Sequence, residues 1–369
     1  MAAYTRPMSS CFSRGRNLFN KCPYKELSFV TRRNNATFSH AAKNRSVLLG
    51  VGALAGISFG VLYSLKTQSR IAREIEQENY SSENSASNEA SHQPKITLYQ
   101  YQTCPFCCKV RAYLEYFGID YTKVEVNPLT RKEIEFSTEY RKVPIAIVDG
   151  KQINDSSVII STLYSSQVTG QSPETILPFY PEMKYKDEKG KEKVEYANRH
   201  AIMYLDRVDK KLQEKLMEER RWREWVDKTF VHTLSPNIYR TTAEAMQAFE
   251  YFSSVGNFST MERYSVRYFG AFTMYILGKH LKTRYRLKDD VRESLYEEAE
   301  KWMKAVGKRK FMGGASPNLA DLAVYGVLHG LEGLDMHNDL MANTTMKPWY
   351  DRVKEAVETH AGAAMMNKT

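Results

Sequence analysis

The chain has 369 residues, 53 Lys/Arg against 43 Asp/Glu for a net charge of +10, and five cysteines, a length with room for two or three domains. Residues 1–45 hold nine of the basic residues and one acid, so they carry eight of the ten charges; the nearly neutral remainder lacks the basic face that a nucleic-acid partner needs. Cys104, Cys107 and Cys108 share one five-residue window, which excludes a disulfide-stapled secreted domain, and no second Cys/His pair follows at ligand spacing, so no metal is expected.

Residues 1–45 are rich in Arg, Ser and Asn, the composition of an organelle targeting segment, with a disordered cytosolic tail as the alternative. Ser46 to Leu65 is an uncharged stretch bracketed by Arg45 and Lys66. A helix of that length spans roughly 30 Å and reads as a single membrane helix. Gly52, Gly56 and Gly60 share one of its faces, as in close helix pairs, although small residues are also common in membrane helices generally. The basic excess on the N-terminal side favours keeping that side in the cytoplasm or a mitochondrial matrix. Reduced thiols argue for a reducing face on the C-terminal body. These cues conflict for a Golgi membrane, so Golgi and mitochondrial placements both stand. Residues 66–93 dissolve into a Ser/Asn/Glu-rich linker, where proteolysis would release a soluble cytosolic form.

Residues 94–170 read as an α/β domain. Lys95 to Tyr101 is strand-like and Pro105 to Phe117 helical, ended by Gly118. Between them stands Tyr101-Gln-Thr-Cys-Pro-Phe-Cys107. A cysteine at a helix start faces unpaired N–H groups and the positive end of the helix dipole, which favour thiolate. Cys-X-X-Cys sites there titrate at roughly 3.5 to 7.5 rather than ~8.5. Cys104 is therefore the candidate reactive thiol and Cys107 its neighbour, with Pro105 suited to the first helical position. Phe106 is placed to wall an apolar pocket, and Tyr101 to donate a hydrogen bond to the thiolate. Cys108 reads as a small packed residue. Further on come a strand at 121–126, a charged helix from about Arg131, and a strand at 143–148. An Asp149-Gly150 hairpin leads to a strand at 151–154 and a helix from Ser156 to about Tyr164. Asp155 is a candidate cap for that last helix, whose start offers N–H groups to an anionic ligand.

Cys-Pro-Phe-Cys, then Val143-Pro144, then Asp155-Ser156 resembles a glutaredoxin or glutathione-binding thioredoxin fold. The resemblance implies that Val143, before a cis Pro144, offers its backbone to the cysteine of glutathione, and that Asp155 and Ser156 hold the γ-glutamyl group. Burial in a strand and ordinary capping are the alternatives for Val143 and Asp155.

Residues 171–195 read as a connector with a highly charged insert at 184–193, and residues 196–369 as an all-α domain. In Pro317-Asn-Leu-Ala-Asp321, Asn318 can cap a helix whose Asp321 reaches back, a capping box. This stretch resembles the glutathione transferase C-terminal domain, where the role is structural. A glutaredoxin-like thioredoxin domain followed by a transferase-like helical domain, behind a membrane helix, is the expected architecture. Leu98 to Cys107, Tyr140 to Ile145, Asn154 to Ile160 and Phe311 to Leu328 together resemble the membrane-associated prostaglandin E synthase type 2 family, over about residues 95–355.

The resemblance implies isomerisation of prostaglandin H2, a lipid endoperoxide, to prostaglandin E2, with Cys104 as the reactive thiol, tuned by Tyr101 in a pocket lined by Phe106. Cys107 is dispensable if no electrons are consumed. The resemblance also implies glutathione and a haem held through the glutathione thiol, in which state the endoperoxide is broken down. Arg284 and Arg286 match two arginines that would hold haem propionates; His280 stands where the family has a third, and a solvated helix end is the alternative for this run. Likeness to the transferases implies a homodimer through the thiol domain. Two other functions stand beside this one: a dithiol oxidoreductase or glutathione transferase using both cysteines, and a non-enzymatic glutathione–haem binding protein.

Overall fold

The computed structural model describes residues 94–186, 190, 192–203 and 209–366. The expected targeting segment, membrane helix and linker lie outside the described residues, among which no helix is long and apolar enough to cross a membrane.

The first strand, β1 (Ile96–Gln100), pairs in parallel with β2 (Tyr121–Glu125) and antiparallel with β3 (Ile145–Val148). β3 turns back into β4 (Lys151–Asn154), giving the order β2-β1-β3-β4. Asp149 and Gly150 both take positive φ, 48° and 82°, as a two-residue hairpin requires. Alternation along the strands splits the core. Ile96, Leu98, Ala146, Val148 and Ile153 join the helices α1 (Pro105–Tyr116) and α2 (Ser156–Thr169) in the main cluster. Tyr99, Ile145 and Ile147 meet Val126, Ile134, Tyr101 and Tyr140 in a small separate one. α2 runs past the expected Tyr164 and closes on Gly170 at φ 67°.

The charged helix expected from Arg131 is instead one 3-10 turn, Lys132–Ile134. Ile134 is its only buried residue while Phe136 is exposed, so no apolar stripe offsets the cost of a helix nucleus. The Asn127 side chain also takes the backbone N–H groups of Leu129 and Thr130 into a tight turn. After the short helix α3 (Pro173–Ile176), the stretch read as a charged connector contains an antiparallel hairpin, β5 (Glu182–Lys186) with β6 (Glu192–Tyr196). Tyr185 donates to Glu195 and Tyr196 to Glu182 across or beside the ladder.

The first helix of the second half, α4 (Lys210–Trp225), is capped by Asp209, which accepts from Leu212 N at 2.7 Å. It passes through a π-helical segment, Val226–Phe230, into α5 (Val231–Ile238). α6 (Thr242–Val255) follows, then α7 (Thr260–Ser265), a second π segment at Val266–Gly270, and α8 (Ala271–Arg284). α9 (Val291–Val306), α10 (Leu319–His329), α11 (Asp335–Asn343), α12 (Lys347–Glu358) and the short α13 (Ala363–Met366) complete the layer. Trp222, Trp225, Trp302 and Trp349 stack edge-on or face-on in its core.

α10 positions the thiol helix. Its capping box is as expected: Asn318 accepts from Ala320 N and Asp321 N, and Asp321 reaches back to Asn318 N. The buried Asp321 carboxylate also accepts from Met312 N, Gly313 N and Trp349 Nε1, so the cap ties a loop and the tryptophan core to one helix start. Two glycines on α10 meet α1. A Cβ on Gly326 would stand 2.7 Å from Lys109 Cα, and one just past the helix end on Gly330 would stand 2.6 Å from Cys108 Sγ. Only bare backbone lets the two helices close to this distance.

Candidate functional site

Cys104 occupies the cap position of α1 in an extended conformation, with Pro105 first in the helix. It is half-buried, whereas Cys107 and Cys108 are fully buried; all three are free thiols. A hydrogen bond from the Cys107 thiol holds the Cys104 thiol below its ordinary value against the opposing effect of burial. Backbone N–H groups of Cys107 and Phe106 and the Arg111 guanidinium add to that shift. Burial, and donation to Cys104, push Cys107 well above the ordinary thiol value. The pair is thus split into one thiolate-prone sulfur and one proton-holding donor. Burial pushes Cys108 up to about 12; its thiol donates to Gln102 O at 3.4 Å, consistent with a packed residue.

The backbone before the thiol is clamped from below. Arg111, itself buried, donates to Gln100 Oε1 at 2.7 Å and to Gln102 O at 2.8 Å, and Glu125 accepts from Gln102 N at 2.7 Å. Tyr101 differs from expectation. Burial raises its phenol, its hydroxyl faces the Arg131 guanidinium, and the principal donor to Cys104 is Cys107 instead. Cys107 is therefore part of the thiolate's support, not a bystander.

An open cleft of about 1760 Å³ lies beside α1. Phe106, Val143, Pro144, Asp155 and Ser156 all line it, and the Val143–Pro144 peptide is cis. Asp155 caps α2 at φ 69°, accepting from Ser157 N at 2.8 Å and Val158 N at 3.2 Å, while its other oxygen faces Arg199 at 3.8 Å. The capping alternative therefore holds for Asp155 while it also faces the cleft. The opposite wall comes from the β5–β6 hairpin and from the C-terminal end of α8, through His280, Thr283 and Arg284. Arg286 is not on the wall; it follows the end of α8 at φ 53°, exposed. Beside Arg284, Tyr285 stacks on His232 at 4.3 Å, and burial and the Arg284 charge lower that imidazole. A second, apolar cavity of about 300 Å³ opens on the other flank of the thiol loop, between Tyr101, Thr103, Phe249, Phe252 and Phe258. Among the described residues no three His, Cys, Asp or Glu side chains cluster to hold a metal.

The sequence reading missed the polar cluster behind the thiol helix. Lys109, 2 % exposed, donates to Ser157 Oγ at 3.1 Å and forms an ion pair with Asp227 in the first π segment. Asp227 also accepts from Ser157 Oγ at 2.7 Å and faces His200 Nε2 at 2.9 Å. Arg223 donates to Ser161 Oγ and to the backbone of His200. Burial pulls His200 down to about 4, so it is neutral, while the Lys109 charge and the His200 hydrogen bond hold Asp227 ionised despite its burial. A lysine amid Cys107, Cys108, Val110 and Ala112 was the available signal. Its partner lies 118 residues away and no local pattern points to it.

Residues 98–170 match the family described as glutathione S-transferase, N-terminal domain. Prostaglandin E synthase 2 of Mus musculus is 42 % identical to this chain over 351 residues, covering 91 % of this chain and 90 % of that protein. Prostaglandin E synthase 2 of Danio rerio is 44 % identical over 318 residues, covering 84 % and 82 %. Among solved structures, glutathione S-transferase I from maize, in complex with an atrazine glutathione conjugate, superposes with a TM-score of 0.43. It is 17 % identical, over 74 % of this chain and 99 % of that one.

Proposed function

The chain belongs to the prostaglandin E synthase 2 family of isomerases, and from that premise we propose that it converts prostaglandin H2 to prostaglandin E2 at Cys104. The observation that carries the proposal is the asymmetric thiol pair at the start of α1: Cys104 occupies the helix cap and is held toward thiolate by Cys107, between Thr103, which lines the apolar cavity, and Phe106, which lines the large cleft. In the reaction a proton leaves the ring carbon that becomes the ketone, and the C–H electron pair forms the C=O bond. The O–O pair departs on the second oxygen, which gains a proton and becomes the hydroxyl. No electrons are consumed. Cys104 thiolate accepting the carbon proton, and its thiol returning one to the oxygen, balances the step. Cys107 lowers the cost of the thiolate, and Phe106 gives the reacting ring an apolar wall. The apolar cavity beside Tyr101, at the small end of the range for ligand pockets, suits a hydrocarbon chain of the substrate.

Glutathione would lie on the Val143, Pro144, Asp155 and Ser156 wall, a reading supported by the transferase-type domain and the cis peptide. A cleft of about 1760 Å³ leaves room for a larger group alongside it. Haem fits this space in part: Arg284 and His280 would hold its propionates, while Arg286 is turned off the wall. When bound, haem would supply an iron centre that breaks the endoperoxide down. The single-pass anchor at 46–65 in a Golgi or mitochondrial membrane, and a homodimer through the thiol domain, belong to the same proposal and rest on the sequence.

The Cys104–Cys107 hydrogen bond also favours a second reading, a dithiol oxidoreductase. Cys107→Ser separates the two. It keeps a donor to Cys104 but cannot form a disulfide, so prostaglandin E2 formation by the full chain should persist while reduction of a disulfide substrate by glutathione is lost. Disulfide reduction by the wild type that is lost in Cys107→Ser, with no prostaglandin E2 formed above the spontaneous rate by either protein, would reverse the assignment.

A further inference from the structure

An apolar face of the helical half has no partner in the fold. Along α7, the second π segment and α8, Tyr264, Tyr268, Phe269, Phe272 and Ile276 stand in solvent, Phe269 at 75 % and Phe272 at 63 % exposure. Aromatic side chains present about 200 Å² each, so these four rings alone leave about 500 Å² of apolar surface. Met261, 78 % exposed, and Ile276 add to it. A patch of that size on a soluble body marks an interaction site.

The charge around it identifies the partner. From Thr260 to Arg286 there are six Lys/Arg residues and one acid, Glu262. Glu262 is engaged in the α7 capping box, and among the described residues only Arg267 and Lys282 of the six are in ion pairs, with Glu250 and Asp289. A second copy docked face to face about a twofold axis would set this cationic rim against itself. Anionic lipid headgroups complement it, each basic residue near such a leaflet contributing about 1 kcal/mol. Aromatic rings bordered by Lys and Arg are the composition of a helix lying in the headgroup region.

We propose that the α7–α8 face is a second membrane contact, resting on an anionic lipid surface. α8 carries His280, Thr283 and Arg284 of the cleft wall, and Val266 and Gly270 of the preceding π segment line the apolar cavity. Seating this face on lipid therefore brings elements that wall both cavities against the headgroup region, where an apolar substrate is concentrated. The lipid contact is separate from the reaction assigned above; either can fail without the other.

The test uses the full chain reconstituted in vesicles of phosphatidylserine and phosphatidylcholine with brominated acyl chains, which quench tryptophans that reach the lipid. All four native tryptophans are buried in the helical core, so the wild-type chain is the blank. Phe272→Trp should lose emission relative to unbrominated vesicles, whereas Met217→Trp, exposed on α4, should not. Pairing Phe272→Trp with Arg263→Glu and Lys279→Glu, or adding salt, should restore the emission. An unquenched, solvent-like signal from the Phe272→Trp variant would overturn the proposal. So would a blue-shifted signal without quenching, which assigns the face to a second copy, or equal quenching of both added tryptophans.

Discussion

Removing Lys109 gives the sharpest test of how the thiol helix is held. Its ammonium lies between α1 and the first π segment, 2 % exposed, and donates to Asp227 and Ser157. Lys109→Met keeps the volume and apolar stem but leaves the Asp227 carboxylate, 7 % exposed, with two neutral donors, Ser157 Oγ at 2.7 Å and His200 Nε2 at 2.9 Å. Removing one partner of a buried pair costs roughly 3–5 kcal/mol because the other charge stays buried. The two remaining donors place this case at about 3 kcal/mol. For a domain of this size that lowers the melting temperature by about 6–12 °C. Circular dichroism melts of the wild type, Lys109→Met, and Lys109→Met with Asp227→Asn would measure it. The double variant should recover most of the loss, since the amide keeps the volume, its oxygen still accepts from Ser157 and His200, and the stranded buried charge is gone. A single variant that loses under about 1 kcal/mol, or a double variant no more stable than the single, would refute the claim that this pair fastens the two halves.

Two buried groups oppose each other in pH. Burial raises Glu219 to about 7, so its contribution is greatest at low pH and is lost as pH rises from 4.5 to 7; His200, lowered to about 4, contributes stability that is lost as pH falls from 6.5. Each span is worth about 3 kcal/mol, so removing the opposing carboxyl in Glu219→Gln should make stability climb more steeply with pH between 4.5 and 6.5 than in the wild type, read by urea midpoints; an unchanged slope would refute the shift of Glu219. The pH midpoint for alkylation of Cys104 should lie below that of an ordinary thiol and move up in Cys107→Ala, the variant that removes its main donor; an unmoved midpoint would return Cys107 to a bystander. Gly326→Ala should cost about 1–3 kcal/mol, because its Cβ would press on the Lys109 backbone at 2.7 Å, and should slow turnover as α1 shifts; an alanine tolerated on both counts would show that the contact is looser than the geometry implies.

The elements that sequence reading found are those with a local cause. The Cys-Pro-Phe-Cys helix start, the two positive-φ residues of the Asp149-Gly150 turn and the Asn318–Asp321 capping box each carry their own geometry within a few residues. Val143, Asp155 and Ser156 were legible as cleft residues only through the resemblance to a glutathione-binding thioredoxin fold; their own pattern gave a strand and a helix cap. The failures had distant or compensating causes. The helix expected at Arg131 lost to an asparagine-closed turn, and the β5–β6 hairpin hid in a charged stretch because its alternation is only two apolar residues per strand, Met183 and Tyr185 against Val194 and Tyr196, among Lys and Glu and on exposed strands. The Lys109–Asp227 pair depends on how distant chain segments meet, which spacing alone does not give.

The central claim is that Cys104 performs the isomerisation. The direct measurement is prostaglandin E2 formed from prostaglandin H2 by the purified full chain, with glutathione, above the spontaneous rate, in the wild type and in Cys104→Ser. The account predicts turnover in the wild type and its loss in Cys104→Ser, with the melting temperature of the variant unchanged because the side chain sits half-buried at a helix cap. A folded Cys104→Ser variant that still forms prostaglandin E2 at the wild-type rate would contradict it.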